Sequence, residues 1–258
     1  MSKELRIIPI TGIEETPPGC DLGLIIYEAL HTQHLTLEPG DILVVTQKIV
    51  SKAEGRIVDL NDIKPSAFAR QYAKQYNKDA RHVEVVLRES RRIVRMDHGV
   101  LISETHHGFI CANAGVDESN VNGAEQLTLL PLDSDRSAQM LRLRLLRIVR
   151  DKQEKADIDI AIIISDTWGR PWRQAQVNMA IGVAGMEAIN DYRGQYDPYG
   201  YELRVSSIAV ADELAATAEL VMGKIDRVPV ALIRGYNYIP AEGTAQALIR
   251  NSATDMFR

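Results

Sequence analysis

Cysteine is nearly absent from this chain: Cys20 and Cys111 are the only two, far apart and in neither a CxxC nor a Cys/His metal spacing. That excludes a disulfide framework and argues against a zinc site, and a reducing compartment is the simplest expectation. Long apolar runs are also missing. The longest, Ile160 to Ile164, is far short of a membrane span, and Met1 to Ile10 has no secretory apolar core, so the protein is expected to stay in the cytoplasm without a membrane partner. No excess of positive charge exists either. A net charge of -5 and a pI near 5.7 give no global attraction to nucleic acid, so any phosphate site must be a local basic pocket. Neither GxxxxGK[ST] nor GxGxxG occurs, Gly223-Lys224 being followed by Ile225; a nucleotide site here has to be built in another way. Repeats, low-complexity tracts and Pro/Ser-rich linkers are lacking too, which leaves no clean domain boundary.

What is present is the composition of an ordinary globular protein. With 258 residues, 45% hydrophobic and 25% charged, the chain has enough apolar material to bury a core without covalent staples. Leu5 to Ile10 reads as a strand closed by Thr11-Gly12, and Ile42 to Thr46 as another after the turn Pro39-Gly40-Asp41. Between Pro65 and Ser90 the apolar spacing becomes helical, with Phe68, Tyr72 and Tyr76 at four-residue intervals and a second stripe of Val83, Val86 and Leu87. Arg92 to Ala112 alternates short apolar runs with charge and glycine, the pattern of an antiparallel meander. Ser134-Asp135 offers an N-cap for a long helix through Leu141, Leu145 and Ile148, whose Arg-rich face is expected to be solvated. Ile158 to Ile164 is dominated by β-branched isoleucine and should be a strand buried on both faces, ending at Ser165-Asp166-Thr167. The small residues of Ala180 to Gly185 suggest close backbone packing more than close ligand approach. A helix from about Ile208 to Met222, stopped by Gly223, leads to a final strand, Val228 to Ile233. The expected class is α+β, with mixed and antiparallel sheets and flanking helices.

Three polar clusters are candidates for chemistry. Val50 to Arg56 places Lys52 and Arg56 four apart with Ser51 and Gly55 alongside, a possible phosphate cradle, although such a group is more often an exposed salt-bridged turn. Cys111 to Asn120 is rich in the hard oxygens that Mg²⁺ or Mn²⁺ prefers, yet Asn-Ala-Gly followed by Asp117 could equally be an Asx turn. Ser165 to Arg173 sets Asp166 and Thr167 at the end of the buried strand, well placed for a metal. Arg170 and Arg173 follow and could neutralise phosphate or clamp a carboxylate. Trp168 and Trp172 in the same run are more often packing residues than ligand stacks. His106-His107 tempts a metal assignment, but neighbours on a strand point to opposite faces, and a structural role is the safer reading. Asp212-Glu213 is adequately explained by the helix dipole.

In combination and in order, VSKAEGR (50–56), NAGVDESNV (113–121), SDTWGRPWR (165–173), VADELA (210–215) and VMGK with VPVALIRG resemble the coenzyme F420-0:L-glutamate ligase family, from Thr11-Gly12 to about Gly235. The resemblance implies a GDP-forming ligase that joins L-glutamate to F420-0 and then adds a γ-linked glutamate, through an acyl phosphate. It implies GTP as co-substrate with Mg²⁺ or Mn²⁺, K⁺ being a further candidate ion. It implies metal ligation by Asp117, Asp166 and Thr167, and catalytic placement of Asp166, Arg170 and Arg173. Nucleotide contacts would come from Gly12, Ile13, Glu14, Glu15, Gln47, Lys52, Asn120, Met222, Gly223 and Lys224. Lys224 departs from the pattern, since archaeal members carry an acidic residue near it that joins the metal site. The family layout also implies a homodimer of a single unit, 1–258, with lobes 1–90 plus 206–258 and 91–205, and without an added flavin-binding domain. Two other readings fit the same clusters: a metal-dependent nucleotide phosphohydrolase and a non-catalytic F420-binding protein.

Overall fold

The computed structural model describes residues 4–118, 125–153 and 158–256. In chain order the elements begin with β1 (Arg6–Ile10), α1 (Leu22–Thr32), β2 (Ile42–Thr46), α2 (Gln47–Ala53) and β3 (Ile57–Asp59). Helices α3 (Ala67–Tyr76) and α4 (Ala80–Arg88) lead into β4 (Ser90–Asp97), β5 (Val100–Thr105) and β6 (Ile110–Ala112). Then come β7 (Asp117–Glu118), β8 (Gln126–Thr128), α5 (Ser134–Gln153), β9 (Ala161–Arg170) and β10 (Arg173–Ala184). The chain closes with β11 (Asn190–Asp191), β12 (Ser207–Ile208), α6 (Val210–Met222) and β13 (Val230–Arg234). Mixed sheets with flanking helices make the fold α+β, as the patterning implied.

The main sheet runs β1-β13-β2-β9-β10 and is antiparallel except where β2 pairs parallel with β9, Ile42 beside Ala161 through Thr46 beside Ser165. Ile42 to Val45 and Ala161 to Ile164 are fully buried, the outcome that continuous apolar runs imply for strands covered on both faces. Helices α5 and α6 pack on this sheet and α1 packs on α5. A second apolar cluster gathers Ala69, Tyr72, Val83, Val86, Leu101, Leu127 and Leu129 around α3 and α4. Beside it lie two small antiparallel sheets, β4-β5-β6 and β3-β8-β7. Local signals explain the helix ends: Asp21, Ser66 and Asp79 accept from the Leu24, Ala69 and Arg81 amides, and Asn77 ends α3 at φ 51°.

Several expectations are corrected. The run Ser165 to Arg170 is strand, not loop, because β9 continues into a hairpin in which Thr167 faces Asn178 and Trp168 faces Val177. The buried strand starts at Ala161 rather than Ile158 and the last one at Val230 rather than Val228. Asp133, not Ser134, caps α5 by accepting from the Arg136 amide, while Asp135 turns away to accept from the Val183 and Ala245 amides. The arginine face of α5 is only partly solvated: Arg142 reaches the Ile160 carbonyl and Asp159, and Arg144 binds Asp21 at 2.6 Å. His106 and His107 sit in the turn after β5, where their Nε2 atoms meet the carbonyls of Arg88 and Pro131, so the structural role holds on different geometry. Asp212 does more than face a helix dipole, accepting from the Ala180 amide and tying α6 to β10.

The small residues 180–185 do serve close packing. A Cβ at Gly182 would collide with the Ser134 carbonyl, and one at Gly185 would lie 2.6 Å from the Ile160 oxygen. Gly182→Ala should therefore cost about 2–3 kcal/mol of stability, since the obstacle is backbone and cannot rotate away. Gly169→Ala, with nothing within 4 Å of its added Cβ, should stay within about 0.5 kcal/mol of wild type. Denaturant titration of both variants makes the comparison.

Candidate active site

Parallel pairing of β2 with β9 lays Thr46 beside Ser165, so the two strands end on the same side of the sheet. Helix α2 starts directly after β2 and carries Lys48, Ser51 and Lys52 away from that edge, while β9 presents Asp166 and Thr167 one residue further on. Strand β7 brings Asp117 to the same place, where its Oδ2 lies 2.6 Å from Lys48 Nζ. Asp117 and Asp166 are close enough for the charge on one to raise the proton affinity of the other. Two of the three expected metal ligands thus meet, from chain positions 49 residues apart.

Asp166 is held firmly. Its Oδ1 accepts from the Thr167 amide and its Oδ2 from Trp168 Nε1, both at 2.8 Å, and the Trp168 ring rests on Phe109 with centroids 5.2 Å apart. Trp168 is accordingly a packing residue that also orients the carboxylate. Burial pushes the Asp166 pKa up to about 6, with Asp117 adding to the rise, while the two hydrogen bonds and Lys224 oppose it. Each carboxylate oxygen keeps a lone pair beyond its hydrogen bond, so a cation would find vacant acceptors.

Thr167 faces the other side of β9, as alternation along a strand requires. Its hydroxyl donates to Asn178 Oδ1 at 2.6 Å and accepts from Lys224 Nζ at 2.6 Å; Asn178 Nδ2 and Lys224 both reach Glu219 of α6, at 2.9 and 3.1 Å. Met222 is buried at the end of α6, and Gly223 takes φ 58° to release Lys224 toward β9. The Thr11-Gly12 turn contributes Gly12 at φ 78°, buried Ile13, and exposed Glu14 and Glu15, of which Glu15 accepts from Lys52 Nζ at 2.6 Å. Gln47 is buried at the first position of α2.

Other expected residues are not brought alongside. Arg170 and Arg173 pair at the tip of the β9–β10 hairpin, and four residues of extended strand put Arg170 roughly 13 Å beyond Asp166. Arg56 does not join Lys52 in a cradle but binds Glu89, just past α4, and the Leu130 carbonyl. Asn120 lies outside the described residues. Lys48, Asn178 and Glu219 escaped the sequence reading: Lys48 sits just before VSKAEGR, and Asn178 and Glu219 become visible only once the hairpin register and the helix-to-strand packing are known.

Hard oxygens of Asp117, Asp166 and Thr167 suit Mg²⁺ or Mn²⁺, and a divalent ion would favour the ionised Asp166 that burial, with Asp117 beside it, disfavours. No cluster of three or more His, Cys, Asp and Glu suited to a metal occurs among the described residues, so two carboxylates would leave room for water or phosphate oxygens. Because the folded protein holds the Asp166 proton up to about pH 6, and the unfolded chain only to about 4, ionisation of this group destabilises the fold as pH rises through that window. Wild-type stability should therefore fall between pH 4 and 7, by on the order of 2 kcal/mol from this group, and Asp166→Asn, which cannot ionise, should lack that fall. Saturating Mg²⁺ should reduce the fall in the wild type. Calorimetric melting temperatures of the two proteins across that range are the check.

A family model described as F420-0:Gamma-glutamyl ligase matches residues 12–235. Three curated relatives bear the name coenzyme F420:L-glutamate ligase. The protein of Methanothermobacter thermautotrophicus is 45% identical over 257 residues, covering 98% of this chain and 99% of its own. That of Methanopyrus kandleri is 42% identical, covering 98% of each chain, and that of Methanocaldococcus jannaschii is 40% identical over the whole of both. Similarity of this depth along the full length, on a scaffold that gathers the motif residues at one sheet edge, shows that this chain belongs to the F420-0:gamma-glutamyl ligase family.

Proposed function

We propose that this chain is a GTP- and divalent-metal-dependent ligase that joins L-glutamate to the terminal carboxylate of coenzyme F420-0 and then adds a γ-linked glutamate. The observation that carries the reading is the convergence of Asp117, Asp166 and Lys48 at the C-terminal ends of β2 and β9. Lys52, paired with Glu15, lies one helical turn along α2 from Lys48, and Lys224 reaches Thr167 on the other side of the strand.

A carboxylate resists attack by an amine because its negative charge repels the nucleophile and oxide is a poor leaving group. Phosphorylation removes both obstacles. The F420-0 carboxylate oxygen attacks the γ-phosphorus, the bond from that phosphorus to the bridging oxygen breaks, and GDP departs. Glutamate's deprotonated amine then attacks the acyl carbon; the C–N bond forms, the C–O bond to phosphate breaks, inorganic phosphate leaves and the nitrogen sheds its remaining extra proton. Lys52 supplies a point charge for phosphate oxygens, exchanging Glu15 for the nucleotide. Lys48 neutralises Asp117 until a ligand arrives, and Trp168 keeps Asp166 aimed. Asp117 and Asp166 would hold a divalent ion, and Thr167, on the other face of β9, would contribute a hydroxyl to a second one; such an ion would supply positive charge against that developing on the transferred phosphoryl group.

Purified protein with F420-0, L-glutamate, GTP and Mg²⁺ should give a glutamyl mass ladder with matching GDP, read by mass spectrometry. GDP formed equally without glutamate or F420-0 would mean a phosphohydrolase, and coenzyme binding without turnover would mean a carrier. Asp166→Ala should lower kcat about 10³-fold or more with native circular dichroism retained, and Lys52→Ala should raise the KM for GTP about tenfold or more. Full activity in Asp166→Ala would sink the metal role.

A further inference from the structure

The face of β9 opposite Asp166 carries a connected polar group. Thr167 Oγ1 donates to Asn178 Oδ1 and Asn178 Nδ2 donates to Glu219 Oε2, so the amide is held in one orientation by a partner at each end. Asn178 is 4% exposed and the Glu219 side chain 24%. Lys224 completes the group, its Nζ lying 2.6 Å from Thr167 Oγ1 and 3.1 Å from Glu219 Oε1. The chain bends to bring it there. Gly223 ends α6 at φ 58° and ψ -172°, a conformation essentially confined to glycine, and an added Cβ would lie 2.5 Å from Asp226 Oδ2.

The ammonium sits on the oxygens that a second ion would need. A threonine hydroxyl has one proton and two lone pairs; here the proton goes to Asn178 and a lone pair faces Lys224. Glu219 gives one carboxylate oxygen to Asn178 and the other to Lys224. Magnesium or manganese draws on one or two carboxylates and completes its shell with phosphate and water. A divalent ion approaching Thr167 and Glu219 therefore meets a positive charge already in place and finds both oxygens engaged. The Lys224 side chain is 59% exposed, so its hold is of the weak kind that a phosphate can replace. Its charge also reaches Asp166 and favours the ionised carboxylate, as a cation at this position would.

We propose that the Lys224 ammonium fills the second cation position of the nucleotide-free protein and gates it; this rests on the ligase reading above. A divalent ion reaches Thr167 and Glu219 only after a phosphate has drawn Lys224 away, and that phosphate supplies the further oxygens the ion requires. Entry of the second ion is thereby tied to the nucleotide.

The test counts Mn²⁺ bound to the full-length protein, from the loss of the free-ion signal in electron paramagnetic resonance, with neither F420-0 nor glutamate present. Without nucleotide, Lys224→Glu, which exchanges the ammonium for a second carboxylate, should bind about one Mn²⁺ per chain more than wild type. Lys224→Met, which removes the charge and adds no ligand, should bind that ion too, about tenfold more weakly than Lys224→Glu. Glu219→Gln should remove the extra ion from Lys224→Glu and leave the nucleotide-free wild-type count unchanged. With a non-hydrolysable GTP analogue bound, the same Glu219→Gln change should lower the wild-type count by about one. Equal nucleotide-free counts in wild type and Lys224→Glu would overturn the proposal. So would a nucleotide-free wild-type count that falls with Glu219→Gln, or a nucleotide-bound count that does not. The counts need no turnover: the expected counts without glutamyl product would support the gate and weigh against the ligase reading, whereas product with equal counts would overturn the gate alone.

Discussion

The parallel contact between β2 and β9 is the constraint on which the rest of this structure depends. Every other strand pair in the main sheet is antiparallel and tolerates a short connection, but a parallel neighbour needs a crossover that carries the chain back to the starting edge. Here the crossover runs from residue 47 to residue 160 and holds α2 through α5, including the whole second apolar cluster. Two consequences follow together. The C-terminal ends of β2 and β9 lie side by side, the place in a parallel arrangement where ligands are bound, and β7 of the crossover returns Asp117 to that edge. An antiparallel β9 would have carried Asp166 to the opposite end of the sheet.

Ionic contacts in the protein divide by burial into two kinds. Asp41, 1% exposed, is gripped by Arg234 through two hydrogen bonds of 2.7 and 2.8 Å, and Arg234 also reaches Glu38 and the Thr36 carbonyl. Removing one partner of such a pair strands a buried charge, typically at a cost of about 3–5 kcal/mol, so this contact is structural and fixes β13 against the start of β2. Lys48 with Asp117 is different: their side chains are 40% and 54% exposed. Exposed pairs are worth about 0–1 kcal/mol, little enough for a phosphate or a cation to replace either partner. Weak pairing at the sheet edge keeps the charges in place and available.

Much of the fold was legible because it rests on periodicity. The run Ile42 to Val45 could hardly be anything but a buried strand, and the stripes Phe68, Tyr72, Tyr76 and Val83, Val86, Leu87 announce α3 and α4. Strand β10 was not legible, since Arg173 to Gln176 is polar and Ala180 to Gly185 is small, and only its partner β9 supplies the reason to be extended. The candidate site divides in the same way. Asp117 and Asp166 stood out as polar residues after apolar runs, whereas Lys48, Asn178 and Glu219 acquire meaning through contacts with residues 11 to 69 positions away. Register and packing, which a single sequence does not encode locally, choose those partners.

Strand β7 is only two residues long, and that brevity matters. Alternation sends the Asp117 side chain to the sheet edge beside Lys48 and the Glu118 side chain to His82 of α4, so one peptide bond separates groups that serve two faces. Pairing with β8, Asp117 beside Thr128 and Glu118 beside Leu127, fixes which residue takes which face, and buried Leu127 and Thr128 anchor that register in the second apolar cluster and its surroundings. A one-residue slip would exchange the two carboxylates and lengthen the span from each to its basic partner. The packing of α3 and α4, far from β2 and β9 along the chain, thereby sets the geometry of the acidic pair as directly as the main sheet does.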